Sequence, residues 1–251
     1  MNIYGLAGYP LEHSFSKQYF GEKFSRENIS HCRYENFPLA DIAQLPALLK
    51  EFPQIKGLNI TIPYKENVLA YANWLSPEVQ QIHACNCLTI ENGFISAYNT
   101  DIIGFERSCF TGMINEHTHA LVLGSGGASK AVRFVLDKMN ISYLTVYRSK
   151  KGHVNAVSYD ELNGSLLEKY TLLINCTPIG TAPKVENCPL IPYTQLTERH
   201  YLFDLVYNPA ITLFLSRGME KGAQVKNGYE MLVIQAEESW KIWKGESTRS
   251  S

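Results

Sequence analysis

The stretch Gly57-Leu58-Asn59-Ile60-Thr61-Ile62-Pro63-Tyr64-Lys65 combines hydrogen-bonding side chains with an amine. Strand alternation sends Leu58, Ile60 and Ile62 to one side and Asn59 and Thr61 to the other, so two polar groups share a face. Pro63 ends the strand and leaves Lys65 just past its carboxyl edge, where open α/β sheets bind ligands. From this segment alone, a solvated strand with an exposed lysine is an equal alternative. Other polar clusters weigh against it: His13-Ser14-Phe15-Ser16, Asn86 and Asn99-Thr100-Asp101 also fall beside expected turns. Together these side chains could surround a polyhydroxylated, carboxylated ring. An ammonium at such an edge can stabilise a developing oxyanion and deliver a proton to it.

A second constellation is Gly124-Ser125-Gly126-Gly127-Ala128-Ser129, which follows the apolar strand Ala120-Leu121-Val122-Leu123 and precedes a helical pattern over 130–139. Glycines let backbone turn tightly against a pyrophosphate, and the helix start offers unpaired N–H groups and a positive dipole end. An ordinary glycine-rich turn is the plain alternative, but the flanking elements favour a nucleotide phosphate. NAD-binding domains place a carboxylate at the end of the next strand. Here that end reads Tyr147-Arg148-Ser149-Lys150-Lys151, with an arginine and two lysines and no carboxylate. A guanidinium suits a 2′-phosphate, so NADP(H) is favoured over NAD on position, although solvated basic turns are common.

Strands and helices alternate around these motifs, which predicts an α/β protein with mostly parallel sheets. A first unit reads as a strand over 1–8, a helix over 16–24 opened by a serine cap, a strand over 34–37, a helix over 42–51 and a strand over 56–63. Near residues 99–104 the chain should pass into a second unit, with strands over 120–123, 143–147, 172–175 and 201–205. A last helix over 228–243 places Leu232, Gln235, Ala236, Ser239 and Trp243 on one side. A glutamine in that stripe suits a helix facing a polar ligand.

The totals narrow the chemistry further. With 251 residues, 45% of them apolar, the chain can bury one large core or two modest ones. The formal net charge of −1 and the absence of a basic run leave nothing to track a nucleic-acid backbone or an anionic membrane. No charged leader or bilayer-length apolar run is evident, so the cytoplasm is the expected address. The six cysteines are scattered without Cys-x-x-Cys spacing, and neither Cys85-Asn86-Cys87 nor His117-Thr118-His119 has partners that would make a metal site. The expected partner is a small molecule, with no metal; monomer and homodimer both stay open.

From Gly8 to Gln235 these motifs resemble the shikimate dehydrogenase family, in family order. Gly8-Tyr9-Pro10-Leu11-Glu12-His13-Ser14-Phe15-Ser16 resembles its opening signature, which implies that Ser14 and Ser16 bind the substrate carboxylate. Asn59-Ile60-Thr61-Ile62-Pro63-Tyr64-Lys65 resembles its most specific motif, implying substrate contacts from Asn59 and Thr61 and catalysis by Lys65. Asn86 matches a ring-binding asparagine, and Asn99-Thr100-Asp101 a motif whose aspartate partners the lysine. Among cofactor contacts the resemblance implies Gly124, Gly126, Gly127, Ala128, Ser129, Arg148, Ser149, Lys151, Thr177, Gly228 and Met231, and it adds Tyr207 and Gln235 on the substrate side. Tyr147 departs from the family by replacing an asparagine, and His83 and Cys87 stand where glycine and threonine are commoner.

The resemblance implies an N-terminal substrate-binding and catalytic domain over 1–100, a Rossmann-like doubly wound NADP-binding domain over 101–228, and a C-terminal segment, 229–251, packing back onto the first. The implied reaction is reversible reduction of 3-dehydroshikimate to shikimate in aromatic amino-acid biosynthesis, with Lys65 as proton donor. Rival readings are a quinate/shikimate dehydrogenase of broader specificity and a non-catalytic nucleotide- or substrate-binding protein. Arg148 speaks against an NAD-preferring version, and Lys65 with Asp101 against mere binding.

Overall fold

The computed structural model describes residues 1–11, 14–114, 116–148 and 154–246. The chain divides into two compact units, one made of Met1–Thr100 and the chain from Ala236 onward, the other of Asp101–Gln235.

The first unit is built from β1 (Asn2–Gly8), α1 (Ser16–Arg26), β2 (Cys32–Pro38), α2 (Leu45–Glu51), β3 (Ile55–Ile60), β4 (Trp74–Leu75), α3 (Pro77–Ile82), β5 (Cys87–Glu91) and β6 (Phe94–Tyr98). Its sheet runs β2-β1-β3-β5-β6-β4; β2, β1 and β3 are parallel, and β5 is antiparallel to both β3 and β6. Strand β1 is buried on both faces: Ile3 and Ala7 join a core with Leu45 and Leu48 of α2, while Tyr4 and Leu6 join one with Phe20 and Phe24 of α1. Such two-sided burial is expected of a parallel strand covered by helices.

Several expectations need correction. Helix α1 has no serine cap: Phe15 occupies the cap position in a helical conformation and makes no side-chain cap bond. Ser16 instead hydrogen-bonds Tyr34. The helix expected over 42–51 begins as a 3-10 turn, Ile42–Gln44, closed by a capping box from Asp41 and Gln44. Strand β3 ends at Ile60 rather than Pro63, because a turn closes there with Tyr64 N–H donating to Thr61 O at 2.9 Å. Ile62 therefore leaves the apolar side and is 61% exposed. Strands β5 and β6 form a hairpin that was not among the expected elements, and its turn residues Asn92 and Gly93 take φ of 52° and 83°. Positive φ at both central positions is what an Asn-Gly hairpin turn requires.

The second unit contains α4 (Asp101–Cys109), β7 (His119–Leu123), α5 (Gly127–Lys138), β8 (Ser142–Tyr147), β9 (Ala156–Ser158), α6 (Gly164–Lys169), β10 (Leu172–Asn175), β11 (Tyr201–Asp204), α7 (Leu213–Met219) and β12 (Gln224–Lys226). Its sheet is wholly parallel, with β7 central, β8 and β9 to one side and β10, β11 and β12 to the other. That is the doubly wound Rossmann order, whose ligands bind at the carboxyl edge where the strand order reverses, here between β7 and β10. Helix α8 (Tyr229–Trp243) starts in this unit and continues into the first. There Ala236 and Trp240 pack with Tyr4, Phe20 and Phe24. Among the described residues no helix is long and apolar enough to cross a membrane.

Candidate active site

In the first unit the hairpin decides what gathers at the edge beyond Ile60. Because β5 runs antiparallel to β3, its first residue, Cys87, pairs with Asn59, and the last residue of β6, Tyr98, pairs with Cys87. Asn86 and Thr100 therefore arrive at the same edge as Thr61. Backbone bonds pin the junction: Ile60 N–H to Asn86 O at 2.8 Å, Asn86 N–H to Tyr98 O at 3.1 Å and Cys85 N–H to Lys65 O at 2.8 Å. The half-buried Lys65 is thus held by its main chain against the segment that carries Asn86. Asn99 tightens the bracket, donating from Nδ2 to Ala84 O at 2.9 Å. His83, at φ 51°, takes the left-handed conformation that glycine adopts without strain.

The side chains beneath this edge form one hydrogen-bonded chain. Ser16 bonds the Tyr34 hydroxyl. Tyr34 donates to Asn59 Oδ1 at 2.9 Å, and Asn59 Nδ2 donates to Asn86 O at 3.2 Å and Ser239 Oγ at 2.9 Å. Ser239 and Thr100 hydroxyls lie 3.2 Å apart, and Asn86 Oδ1 accepts from Thr100 N–H at 2.7 Å. Burial drives the Tyr34 phenol well above its ordinary pKa, so it stays a donor. Both Asn59 N–H bonds are engaged within the protein, and its remaining capacity is one lone pair on Oδ1. Ser14 differs: its Oγ is buried and has no partner among the described residues. Thr61 is half-buried, and its methyl leaves no room for a side chain at Gly8.

Three members of this chain, Tyr34, Thr100 and Ser239, were not singled out as site residues. Ser239 carried a signal, since a hydroxyl on the inward stripe of α8 is as unexpected as Gln235. Thr100 stood within a quoted motif, whereas Tyr34 looked like any strand aromatic.

In the second unit Gly124 closes β7 at φ 103°, and a β-carbon there would lie 2.8 Å from Thr177 Cγ2. Gly126 caps α5 without a side-chain bond, and a β-carbon on it would meet nothing within 4 Å. The loop thus leaves open space beside Gly126, at the start of α5, as a pyrophosphate needs. Ser129 is fully buried and donates to Gly126 O at 2.7 Å, so its hydroxyl shapes the loop. Thr177 bonds Asn175 Oδ1 through both N–H, at 3.0 Å, and Oγ1, at 2.6 Å.

Arg148 leaves β8 exposed; Ser149 and Lys151 lie outside the described residues, as do Glu12 and His13. Gly228 donates to Val206 O at 3.1 Å, and a β-carbon there would overlap Leu205, so only glycine fits. Met231 is buried, with Tyr207 and Gln235 half-buried. Asp101 opens α4 and is 6% exposed, at a helix start that favours a carboxylate. A β-carbon on Gly104 of α4 would lie 2.9 Å from Met231 O and 3.2 Å from Gln235 Cβ, so that glycine sets how closely the start of α8 approaches α4. Asp204, fully buried, accepts from Asn175 Nδ2 at 2.9 Å, Val206 N–H at 3.0 Å and Thr212 Oγ1 at 2.6 Å. Burial outweighs those bonds and pushes its carboxyl up to about 6. Among the described residues no cluster of His, Cys, Asp and Glu could hold a metal ion.

Comparison with known proteins extends these observations. The family model of the shikimate dehydrogenase substrate binding domain matches residues 6–88. The shikimate dehydrogenase (NADP(+)) of Caldanaerobacter subterraneus is 32% identical over 97% of this chain and 92% of its own. The crystal structure of shikimate dehydrogenase 1 from Peptoclostridium difficile superposes with a TM-score of 0.86 at 33% identity, covering 98% of this chain and 93% of that one. The Thermus thermophilus enzyme, solved with NADP(H) and shikimate, gives 0.86 at 30% identity over 98% and 94%. Likeness over nearly the full length of both partners leaves one conclusion: the chain belongs to the shikimate dehydrogenase family.

Proposed function

We propose that this protein is an NADP-dependent oxidoreductase that interconverts 3-dehydroshikimate and shikimate in aromatic amino-acid biosynthesis, acting in the cytoplasm. The observation that carries the reading is the buried chain from Ser16 through Tyr34, Asn59, Ser239 and Thr100 to Asn86, laid under an edge that ends in Lys65. Residues 1–100 with 229–251 serve as the substrate-binding and catalytic part, and 101–228 as the NADP-binding part. The orphaned Ser14 hydroxyl suits one oxygen of the substrate carboxylate, with Ser16 on the other. Asn86, Thr61, Tyr207 and Gln235 meet the ring hydroxyls, and Asn59 offers its remaining lone pair. A site that buries several such groups penalises ligands that leave them unpaired, so simple alcohols are poor substrates.

NADPH supplies the hydride when bound. Gly124, Gly126, Gly127 and Ala128 would admit its pyrophosphate, Ser129 and Thr177 would shape the walls of that site, Arg148, Ser149 and Lys151 would serve the 2′-phosphate, and Gly228 and Met231 would contact the cofactor. Lys65, assisted by Asp101, delivers a proton to the ring oxygen as negative charge develops there and accepts it back in the reverse direction.

The test is NADPH absorbance with shikimate or quinate, each with NADP or NAD, in the wild type and Lys65→Ala. Turnover confined to shikimate and NADP, falling about 10²- to 10⁴-fold in the variant with an unchanged melting temperature, is the expected result. A preference for quinate or NAD would overturn the substrate or cofactor assignment, and absence of turnover with every pair would make this a binding protein.

A further inference from the structure

The Tyr159 hydroxyl has no role in anything described so far. Its Oη is buried and has no hydrogen-bond partner among the described residues. Buried phenols nearly always find a partner, because an orphaned donor forfeits its hydration without return. An orphan that persists in an otherwise well-packed wall is a place to look for a ligand.

Register fixes where this one lies. Tyr147, the last residue of β8, pairs with Ser158, the last of β9, so Arg148 and Tyr159 leave neighbouring strands side by side. The Tyr159 ring packs on the core that includes Leu121, Leu123, Val146 and Val157. Its hydroxyl is within electrostatic reach of both Arg148 and Cys176. Cys176 follows β10, on the far side of β7, so the phenol and these two groups all lie at the carboxyl edge of the parallel sheet. Burial pushes the phenol up to about 12 against the opposing pull of Arg148, which keeps it a neutral donor.

We propose that Tyr159 is a cofactor-specificity residue, donating its hydroxyl to the 2′-phosphate of the adenosine ribose alongside Arg148. The inference rests on the NADP assignment above. It accounts for an orphaned donor one strand over from a guanidinium, at the strand end where the second ribose oxygen of a dinucleotide is read. A neutral phenol and a guanidinium together satisfy more phosphate oxygens than the arginine alone.

The experiment is calorimetric titration of 2′,5′-ADP and 5′-ADP into wild type and Tyr159→Phe, with apo melting temperatures and kinetics in NADP and NAD. The variant is expected to bind 2′,5′-ADP about tenfold more weakly and 5′-ADP equally. Its KM for NADP should rise at unchanged kcat, and its apo form should melt no lower than the wild type, since no internal bond is lost. A double variant with Arg148→Leu should lose less than the sum of the single losses, because both groups hold one phosphate. Equal 2′,5′-ADP affinity in wild type and Tyr159→Phe would overturn the proposal alone, as would an apo form that melts lower with 2′,5′-ADP binding intact, because the hydroxyl would then be paired inside the protein. A wild type that binds the two nucleotides equally would remove the NADP assignment, and this proposal with it.

Discussion

The two strand edges proposed to meet substrate and cofactor are built on opposite plans. Beyond β3 in the first unit, the groups suited to a ligand are side chains, and most are already tied into one buried chain of neutral hydrogen bonds from Ser16 to Asn86. Beyond β7 in the second unit, the side chains of Ser129, Asn175, Thr177 and Asp204 bond inward, and what faces the open space is backbone at Gly126. A ring with several hydroxyls needs donors and acceptors at fixed angles, which only a braced set of side chains provides. A pyrophosphate needs N–H groups and room, which a helix start behind glycines provides. Stability and recognition should therefore be inseparable at the first edge and separable at the second.

The strongest way to break that contrast is Asn59→Leu. The substitution keeps the volume but removes the acceptor for Tyr34 and the donor to Ser239 and Asn86 O, all within a buried setting. Leaving such groups unpaired should cost about 3 kcal/mol or more of unfolding free energy. The shikimate KM should rise at least about tenfold through the same loss of bracing, with NADP affinity unchanged. A variant that binds shikimate normally despite the lost stability would show that the chain is scaffolding only.

Gly126→Ala tests the other edge and is expected to behave in reverse. The residue has φ −73°, which alanine adopts freely, and the added methyl meets nothing within 4 Å. Unfolding free energy should stay within about 0.5 kcal/mol of the wild type. The methyl would nevertheless occupy space that the pyrophosphate needs, so NADP affinity should fall about 10- to 100-fold, a change of about 1.4 to 2.8 kcal/mol. Unchanged affinity would mean that the phosphate lies elsewhere along the edge.

How far the sequence revealed these edges follows the same division. The glycine loop with its flanking strand and helix, and the strand that carries Asn59, were legible because each is a contiguous string with its own strand or turn signal, although that strand stops at Ile60 rather than Pro63. The bracing of the first edge was not, because Tyr34, Thr100 and Ser239 come from distant parts of the chain and meet only in the fold. Asn92-Gly93 was a readable hairpin signal, and recognising it would have placed Asn86 beside Asn59. Ser16, the first residue of α1, misled for a physical reason: a serine near a helix start is usually a cap, but here Phe15 takes the cap position and the Ser16 hydroxyl bonds Tyr34.

The contrast also reaches pH, through the smallest of the expected effects. The chain under the first edge consists of uncharged side chains, whereas Asn175 and Thr212 in the second unit bond a carboxylate, Asp204, whose pKa burial raises from 3.8 to about 6. Between those values the folded protein holds a proton that the unfolded chain has released, so this group's contribution to stability falls as pH rises through the window. Asp204→Asn keeps the shape and an oxygen acceptor for Val206 N–H, and its amide can donate to Thr212 Oγ1, which already accepts from Leu215 N–H at 3.3 Å. Chemical denaturation from about pH 4 to about pH 7 should therefore show the variant gaining on the wild type as pH rises, by about 1 kcal/mol per pH unit or less, and levelling once Asp204 is fully ionised. A difference independent of pH would mean that Asp204 is already charged throughout and that its three donors outweigh its burial, and the two edges would then share a titration-silent foundation.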